Sequence, residues 1–243
     1  MEASDHLTAI ASDGAALADT AASELEHPVP SCPGWDMGKL ALHVGLVHMW
    51  AGESIRRRAP EGVDRATLPR APDGPGRIPW LRDSTACLVD ALEAADDDDP
   101  AGNWRGGPAN AAFWRRRMAH ETAVHRWDAQ AALARPEPIN AQLAADGIAE
   151  VVEVLLPLLI HQPANASAIG TLHLHCTDTT GEWLLSVENG RLAVSTGHAK
   201  ADAALRGGAS ELFLTCWGRR SGAAPEVLGD QAVADRWLAT MGW

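Results

Sequence analysis

The segment 120–129, HETAVHRWDA, brings two imidazoles and a carboxylate together within six residues. In an α-helix, residues four apart lie on the same face, so Glu121 and His125 point in one direction. His120 precedes His125 by five residues and lies about 140° away around the helix axis. Carboxylate oxygens and imidazole nitrogens are common zinc ligands. The spacing therefore predicts that Glu121 and His125, but not His120, could hold a divalent metal ion.

The neighbours of Glu121 and His125 indicate whether such a site is buried. Their stripe continues through Trp114, Met118 and Ala132, which are apolar and favour a position facing the core. A carboxylate that is buried without a partner costs several kcal/mol, so a metal ion or another partner must compensate it. A buried Glu–His or Glu–Arg pair, or a helix turned so that both groups meet water, is the alternative that the residues leave open.

A third ligand is expected from another helix, because catalytic zinc commonly takes three protein ligands and keeps one position open. The segment 37–55, MGKLALHVGLVHMWAGESI, follows Asp36 as a predicted N-cap and contains two histidines. His43 lies on the inward apolar face with Leu40. His48 lies about 140° from His43 and is expected nearer the surface or the edge of the bundle. We therefore predict His43 as the third ligand.

Helical patterns cover the first two-thirds of the chain. Their ranges are 5–26, 37–55, 80–95, 109–134 and 141–160. The prolines of HPVPSCPGW at 27–35 predict a turn, and the glycines and prolines of 56–79 predict a loop. The pattern changes near 161–168, which predicts a helical domain at 1–162 and a smaller α/β domain at 168–243.

The second domain is predicted from alternating apolar and polar residues, the pattern of β-strands. These segments are TLHLHCTD, EWLLSVENGRLAVS with a hairpin turn at Asn189-Gly190, and ADAALRGG; two helices follow. His173 and His175 share one face of the first strand. No nearby carboxylate or third histidine is evident from the sequence, so a solvated strand face or a domain interface is favoured over a metal site there.

Composition restricts the classes of function. The 243-residue chain has 32 acidic and 20 basic side chains and a formal net charge of −12, which argues against binding to nucleic-acid phosphates. No run reaches the roughly 18 apolar residues that a membrane helix needs, and the N-terminus lacks a signal-peptide pattern. We therefore expect a soluble cytoplasmic protein.

The four cysteines are far apart, which argues against a disulfide framework and a cysteine zinc site. The oligomeric state is not predicted.

Three segments resemble the mycothiol-dependent maleylpyruvate isomerase family. They are VPSCPGWDMGKLALHVG at 29–45, AHETAVHRWDA at 119–129, and LRGGASELFLTCWGRRSG followed by VLGD at 205–230. The resemblance implies a two-domain α + α/β protein with an N-terminal four-helix bundle of the DinB type and a small C-terminal α/β domain similar to sterol carriers. It also implies a divalent metal, usually zinc, held by His43, Glu121 and His125, which agrees with the spacing argument.

The same resemblance implies further roles. The arginine of a W-G-R element corresponds to Arg219 and is implicated in catalysis, with Arg220 as the alternative in register. Cys32 belongs to the CPGW turn and is expected to pack there, because the reactive thiol is the cosubstrate mycothiol. Asp128, one turn beyond His125, could orient that ligand or form an ion pair with an arginine.

The implied activity is a metal-dependent enzyme that activates mycothiol for addition to a small electrophile, as in the cis–trans isomerisation of maleylpyruvate. A thiol S-transferase in detoxification or biosynthesis would use the same groups and remains the first alternative. A non-catalytic protein that binds a metal or a small molecule is the second. A hydrolase that uses zinc-bound water is disfavoured, because the segment is one residue longer than the zinc-protease pattern H-E-x-x-H.

Overall fold

The computed structural model describes residues 1–103, 109–160, 170–220, 222 and 224–241. The chain divides into two compact units, residues 1–137 and 138–243. Within the described ranges, no helix combines the length and the apolarity that crossing a membrane requires.

The first unit contains four α-helices in its described part, at four of the five helical ranges that the sequence predicts. They are α1 (Ala3–Ala22), α2 (Met37–Arg56), α3 (Arg77–Glu93) and α4 (Ala111–Ala132). The helix α1 packs against α3 and α4, and α2 packs against the same two helices. The fully buried side chains of Leu17, Leu40 and Leu81 come from three different helices, so one core serves the whole bundle.

The helices that carry the predicted site begin at side-chain caps. Asp36 accepts a hydrogen bond from the backbone N–H of Lys39 at 2.7 Å, and Asn110 accepts one from the N–H of Phe113 at 2.9 Å. Each cap satisfies a backbone donor that the first helical turn leaves without a partner. The caps fix where α2 and α4 start, and hence which side chains face inward about two turns later in α2 and three turns later in α4.

The turn before α2 is closed by backbone hydrogen bonds. The N–H of Cys32 donates to the carbonyl of Val29 at 2.9 Å, and the N–H of Trp35 donates to that of Cys32 at 2.9 Å. Gly34 has a φ of +81°, a left-handed conformation that glycine adopts at little cost. The predicted turn is confirmed, and it holds Cys32 and Trp35 beside the core of the first unit.

The second unit combines helices with a mixed sheet. The helix α5 (Ala141–Glu150) continues through a π-helical turn (Val151–Leu155) into α6 (Leu156–Ile160). In the described part of this unit, five strands and two more helices follow: β1 (Leu172–Cys176), β2 (Glu182–Glu188), β3 (Arg191–Thr196), β4 (Ala203–Gly207), α7 (Ala209–Cys216), β5 (Glu226–Gly229) and α8 (Gln231–Met241). The strand order is β3-β2-β1-β4-β5, with β1 and β4 parallel and the other neighbouring pairs antiparallel.

The hairpin predicted at Asn189-Gly190 is confirmed. Both residues have positive φ, 52° and 72°, as a two-residue turn between twisted strands requires. The strand β5 was not predicted, because its four residues are too few to show an alternating pattern.

The predicted domain boundary at 162–168 lies outside the described residues. The structure places α5, which the sequence assigned to the bundle, in the second compact unit. There a Cβ on Gly147 would lie 2.5 Å from the ring of Phe213 in α7, so the two helices approach closely. The N–H of Ile139 also donates to Oγ of Ser210 at 2.9 Å. The apolar face of α5 is visible in the sequence, but the helix that covers it is not.

Candidate metal centre

His43 from α2 and Glu121 and His125 from α4 come together in the first unit. One donor atom from each lies within 4.8 Å of the other two. Nε2 of His43 is 3.0 Å from Oε1 of Glu121, and Nε2 of His125 is 3.3 Å from the same oxygen. The predicted trio thus converges on one point between two packed helices.

Burial differs across this cluster. Trp114 and Met118, which precede Glu121 and His125 on the same stripe of α4, are fully buried, as the apolar pattern predicts. The side chains of His125, Glu121 and His43 are 9%, 17% and 35% exposed. The cluster therefore has a buried end at His125 and a solvent-accessible end at His43.

The arrangement fits a divalent cation. Two imidazole nitrogens point at one carboxylate oxygen, and three lone pairs can converge in this way only if protons or a cation lie between them. For zinc with bonds of about 2.0–2.1 Å, tetrahedral ligands lie about 3.3 Å from one another. The separations of 3.0 and 3.3 Å around Oε1 of Glu121 are close to that value.

Asp128 orients one of the imidazoles. Its Oδ2 accepts a hydrogen bond from Nδ1 of His125 at 2.9 Å, and its side chain is fully buried. The thiol of Cys32 donates to the same oxygen at 3.4 Å. With Nδ1 engaged in this way, Nε2 is the nitrogen of His125 that faces Glu121. Such a carboxylate–histidine contact is the usual support of a metal-binding imidazole.

Charge in the cluster is balanced by a residue that the sequence reasoning missed. Nη2 of Arg117 donates to Oε2 of Glu121 at 3.0 Å, so the guanidinium binds the carboxylate oxygen that faces away from the histidines. Arg117 precedes Glu121 by four residues, and this i,i+4 spacing was the available signal. The Glu–Arg pair that the sequence left open as an alternative is therefore present beside the histidines.

The electrostatics of the cluster favour an anionic Glu121. Burial would raise the pKa of Glu121, but hydrogen bonds from His125 and His43 and the charge of Arg117 outweigh burial and hold that pKa well below its usual value. Burial would likewise lower the pKa of His125. The contacts with Asp128, Cys32 and Glu121 outweigh it and raise that pKa well above the usual value. These opposite shifts favour a positive charge on His125 beside the anionic carboxylate.

The aromatic ring of Trp35 covers part of the cluster. Its centroid is 4.9 Å from that of His43 and 6.2 Å from that of His125. The two imidazole rings are themselves 5.0 Å apart and nearly perpendicular. The CPGW turn therefore contributes a wall to the site through Trp35, in addition to the packing role predicted for Cys32.

The two other histidines considered in the sequence lie outside this trio. His120 is fully buried on another face of α4, with its ring 6.0 Å from that of His6. The prediction that His48 lies nearer the surface is wrong, because its exposure is 0%. Its ring nitrogens lie 3.0 Å from Oγ1 of Thr85 and 2.9 Å from Oγ1 of Thr122. Neighbouring helices cover α2 on both sides, and burial lowers the pKa of His48 to about 4.

Arg219 lies in the second unit, three residues after the last residue of α7. Its backbone N–H donates to the carbonyl of Leu214 at 2.8 Å, and Nη1 donates to the carbonyl of Trp217 at 2.8 Å. The residue is half-buried, whereas Arg220 is exposed. These local bonds hold Arg219 in a defined position at the end of the helix. Its role in catalysis stays a prediction.

The surroundings of His173 and His175 differ from the expectation. The sequence showed no carboxylate or third histidine near them, but the structure brings Glu182 and His198 to the same place. The reason is register: His175 is the cross-strand partner of Glu182, and the β2–β3 hairpin returns the chain to this end of the sheet. Strand pairing between distant segments cannot be read from the spacing of the two histidines.

Comparison with known proteins gives a consistent result for both units. Residues 7–130 match the family model described as the mycothiol maleylpyruvate isomerase N-terminal domain, and residues 142–236 match the one described as the MDMPI C-terminal domain. Two crystal structures are similar to this chain: that of mycothiol-dependent maleylpyruvate isomerase, and that of a mutant with one histidine changed to alanine. Each has a TM-score of 0.66 and 12% identity, and the match covers 93% of both chains. At this identity the similarity shows the fold alone. A comparison with curated proteins finds no match.

Proposed function

Since the chain belongs to the mycothiol maleylpyruvate isomerase family, we propose that it is a metal-dependent enzyme that activates mycothiol for addition to a small electrophile. The metal, zinc or another divalent ion, is assigned to His43, Glu121 and His125. The observation that carries this proposal is the convergence of two imidazole nitrogens on Oε1 of Glu121, at 3.0 and 3.3 Å.

Bound zinc would supply positive charge that stabilises a thiolate, so that the thiol loses its proton near neutral pH. The protein residues hold the geometry that this chemistry needs. Asp128 fixes the ring of His125 through Nδ1, and Arg117 fixes the carboxylate of Glu121 through Oε2. Three protein ligands leave one position of a tetrahedral site for the thiol.

In the isomerisation, the thiol sulfur adds to the double bond of a cis-enone acid, and that bond becomes single. Rotation about the single bond followed by elimination of the same thiol gives the trans acid, with no net consumption of the thiol. The enolate formed on addition and the substrate carboxylate both carry negative charge. We assign Arg219 to bind one of these groups, because a guanidinium pairs well with two oxygens. The net charge of −12 disfavours long-range attraction of an anionic substrate, so local arginines must provide it.

Transfer of the thiol to an electrophile is the second candidate, since it uses the same metal ligands and the same activation step. The two activities differ in whether the adduct eliminates the thiol or is released as the product. The description of the matched family favours isomerisation. A non-catalytic binding protein would hold the metal or the small molecule without any turnover.

Metal analysis together with a thiol-dependent assay tests the proposal. The wild type and the variants Glu121→Ala, His125→Ala and His120→Ala are dialysed against buffered Zn²⁺, and bound zinc is counted by atomic emission. We expect Glu121→Ala and His125→Ala each to lose one equivalent per chain relative to the wild type, and His120→Ala to lose none. Equal zinc in all four proteins would overturn the assignment.

The assay follows maleylpyruvate and mycothiol together by NMR, which separates the trans acid from a thiol adduct. We expect the trans acid to form only when both mycothiol and the intact site are present. Adduct accumulation with mycothiol consumed in proportion would assign the transferase reaction instead. Turnover of esters or amides without any thiol would contradict both.

A further inference from the structure

A second group of metal-binding side chains lies in the C-terminal unit, and we call it the strand cluster: His173, His175, Glu182 and His198. One donor atom from each residue lies within 4.8 Å of the other three. All four belong to residues 138–243, so the strand cluster is independent of the centre formed by α2 and α4.

The sheet brings these residues together. Alternate residues of a strand point to the same face, which places His173 and His175 side by side on β1. Glu182 begins β2 directly opposite His175 in the antiparallel register. The hairpin then returns β3 to the same end of the sheet, where the N–H of Gly197 donates to the carbonyl of Glu182 at 3.1 Å. His198 follows this contact and completes the cluster.

The geometry of the strand cluster repeats the pattern of the first centre. Three imidazole nitrogens surround Oε2 of Glu182: Nε2 of His173 at 3.2 Å, Nδ1 of His175 at 3.5 Å and Nδ1 of His198 at 3.1 Å. The three rings lie 5.6–6.3 Å apart and are inclined by 73–89° to one another. Rings in this arrangement converge through their nitrogens rather than stack.

The hydrogen bonding of one ring nitrogen in the cluster is incomplete within the described residues. Nε2 of His173 is buried and makes no hydrogen bond of acceptable geometry with any residue that the structure describes, although it lies 3.2 Å from Glu182. A buried polar atom in this state is unfavourable unless another partner binds it. A cation between the three nitrogens and the carboxylate would provide that partner.

The charges of the cluster suit a cation. A neutral imidazole offers one nitrogen lone pair, and the carboxylate of Glu182 supplies negative charge. Arg206 is the cross-strand neighbour of His175 on β4. It pairs with Glu226 at 3.5 Å, so its positive charge has a partner outside the strand cluster.

We propose that the strand cluster binds one Zn²⁺ ion through His173, His175, Glu182 and His198. Imidazole nitrogens favour zinc and similar transition metals over magnesium and calcium. Four protein ligands close a tetrahedral site, which is typical of a structural rather than a catalytic zinc. The ion would connect β1, β2 and the segment after β3, so its expected effect is to stabilise the sheet.

Zinc stoichiometry tests this proposal in the full-length protein. His198→Ala is the first variant, because the side chain is 82% exposed and its removal leaves the core intact. His27→Ala is the matched control, a partly exposed histidine that also pairs with a carboxylate, Glu24. After dialysis against buffered Zn²⁺, we expect His198→Ala to bind one equivalent less than the wild type and His27→Ala to bind the same amount.

The same measurement in a His125→Ala background separates this site from the proposed catalytic one. His125→Ala alone is expected to retain one zinc, and the double variant with His198→Ala is expected to retain none. If the wild type binds one zinc and His125→Ala binds none, the strand-cluster proposal is overturned and the catalytic assignment stands. If instead His198→Ala is the variant that loses all zinc, the strand-cluster proposal stands and the catalytic assignment fails.

Thermal unfolding gives a readout that does not depend on counting ions. A ligand that binds only the folded state raises the midpoint of unfolding. In the His125→Ala background, added Zn²⁺ is expected to raise the midpoint, and added Mg²⁺ is expected to leave it unchanged. An equal rise with zinc in the double variant with His198→Ala would overturn the proposal, because the stabilisation would then come from elsewhere.

Discussion

Asp128 accepts a hydrogen bond from Nδ1 of His125 at 2.9 Å, within a single turn of α4. This contact directs Nε2 of the same ring toward Glu121 and ties the buried carboxylate to the proposed metal ligand. We expect Asp128→Asn to weaken zinc binding by roughly 10- to 100-fold, the usual cost of losing a partner that supports a metal-binding histidine. Competition with a chelator measures the affinity.

Asp13→Asn is the control for that prediction. Asp13 of α1 pairs at 3.1 Å with Arg126 of α4, the helix that carries Asp128 and His125. The variant disturbs a carboxylate contact of α4 without touching His125, so its zinc affinity is expected to match the wild type. Equal weakening in both variants would mean that loss of bundle stability, not orientation of the ligand, sets the affinity.

Arg219 and Arg220 are neighbours with different environments, which makes them a matched pair. We expect Arg219→Ala to lower the turnover of maleylpyruvate with mycothiol by roughly 10²-fold, as loss of one group that stabilises developing negative charge commonly does. Arg220→Ala is expected to keep wild-type turnover, and both variants are expected to keep the metal content of the wild type. A larger loss with Arg220→Ala would reverse the assignment.

His48 makes stability depend on pH. The pKa of His48 is about 4 in the folded protein and 6.5 in an unfolded chain, so the unfolded state binds more protons between these values. The free energy of unfolding should therefore fall as the pH drops from 6.5 to 4, by roughly 3 kcal/mol from this group. Denaturant unfolding of the wild type and His48→Gln, with chelator present throughout, measures the difference.

Other groups titrate in the same range, but they are shared by both proteins and cancel in the comparison. The expected result is that the wild type loses more stability than His48→Gln over this interval. Parallel losses in the two proteins would show that His48 is not held neutral by its burial between Thr85 and Thr122.

Two glycines of α2 should respond oppositely to alanine. A Cβ on Gly45 would overlap the indole ring of Trp80, whereas a Cβ on Gly52 would have its nearest neighbour at 3.5 Å. Gly45→Ala is therefore expected to lower the free energy of unfolding by about 1–3 kcal/mol through overpacking. Gly52→Ala is expected to raise it by about 0.5–1 kcal/mol, because alanine loses less conformational entropy in a helix. Denaturant midpoints at constant m-value report both, and equal effects would contradict the packing argument.

The cysteines should differ sharply in reactivity. Burial raises the pKa of Cys216 to about 12; burial, together with the charges of Asp178 and Glu182, raises that of Cys176 to about 12. Cys32 is also buried, and Cys87 is exposed. Since the thiolate is the reactive form, a disulfide reagent at pH 8 should modify one thiol rapidly in the native protein and four after unfolding. Cys87→Ser should abolish the rapid phase, and a rapid phase that persists would disprove the assignment.

The proposed ligands could be predicted from the sequence because they depend on local rules. Glu121 and His125 are four residues apart on one helix, and the apolar stripe around them predicts the face that turns inward. His43 followed from the same argument on α2. The structure brings these three side chains together, although their role as metal ligands remains a prediction.

The errors arose where position depends on what packs from outside the helix. His48 is buried although it lies far around α2 from His43, because α3 and α4 cover that helix from two sides. The strand cluster was missed because His175 and Glu182 meet through strand register. His198 joins them only after a hairpin, so no local spacing connects it with the other two histidines.

The proposed metal donors are far apart along the chain, since His43 and Glu121 are separated by 78 residues and α3 lies between the helices that carry them. During synthesis, the ribosome releases α4 after all the other helices of the bundle. A nascent chain that stops before residue 111 carries His43 alone and holds no chelating pair from this trio. The proposed ion would therefore be captured at the end of bundle assembly. A metal-loaded centre would show that all four helices of the bundle have been synthesised and packed together.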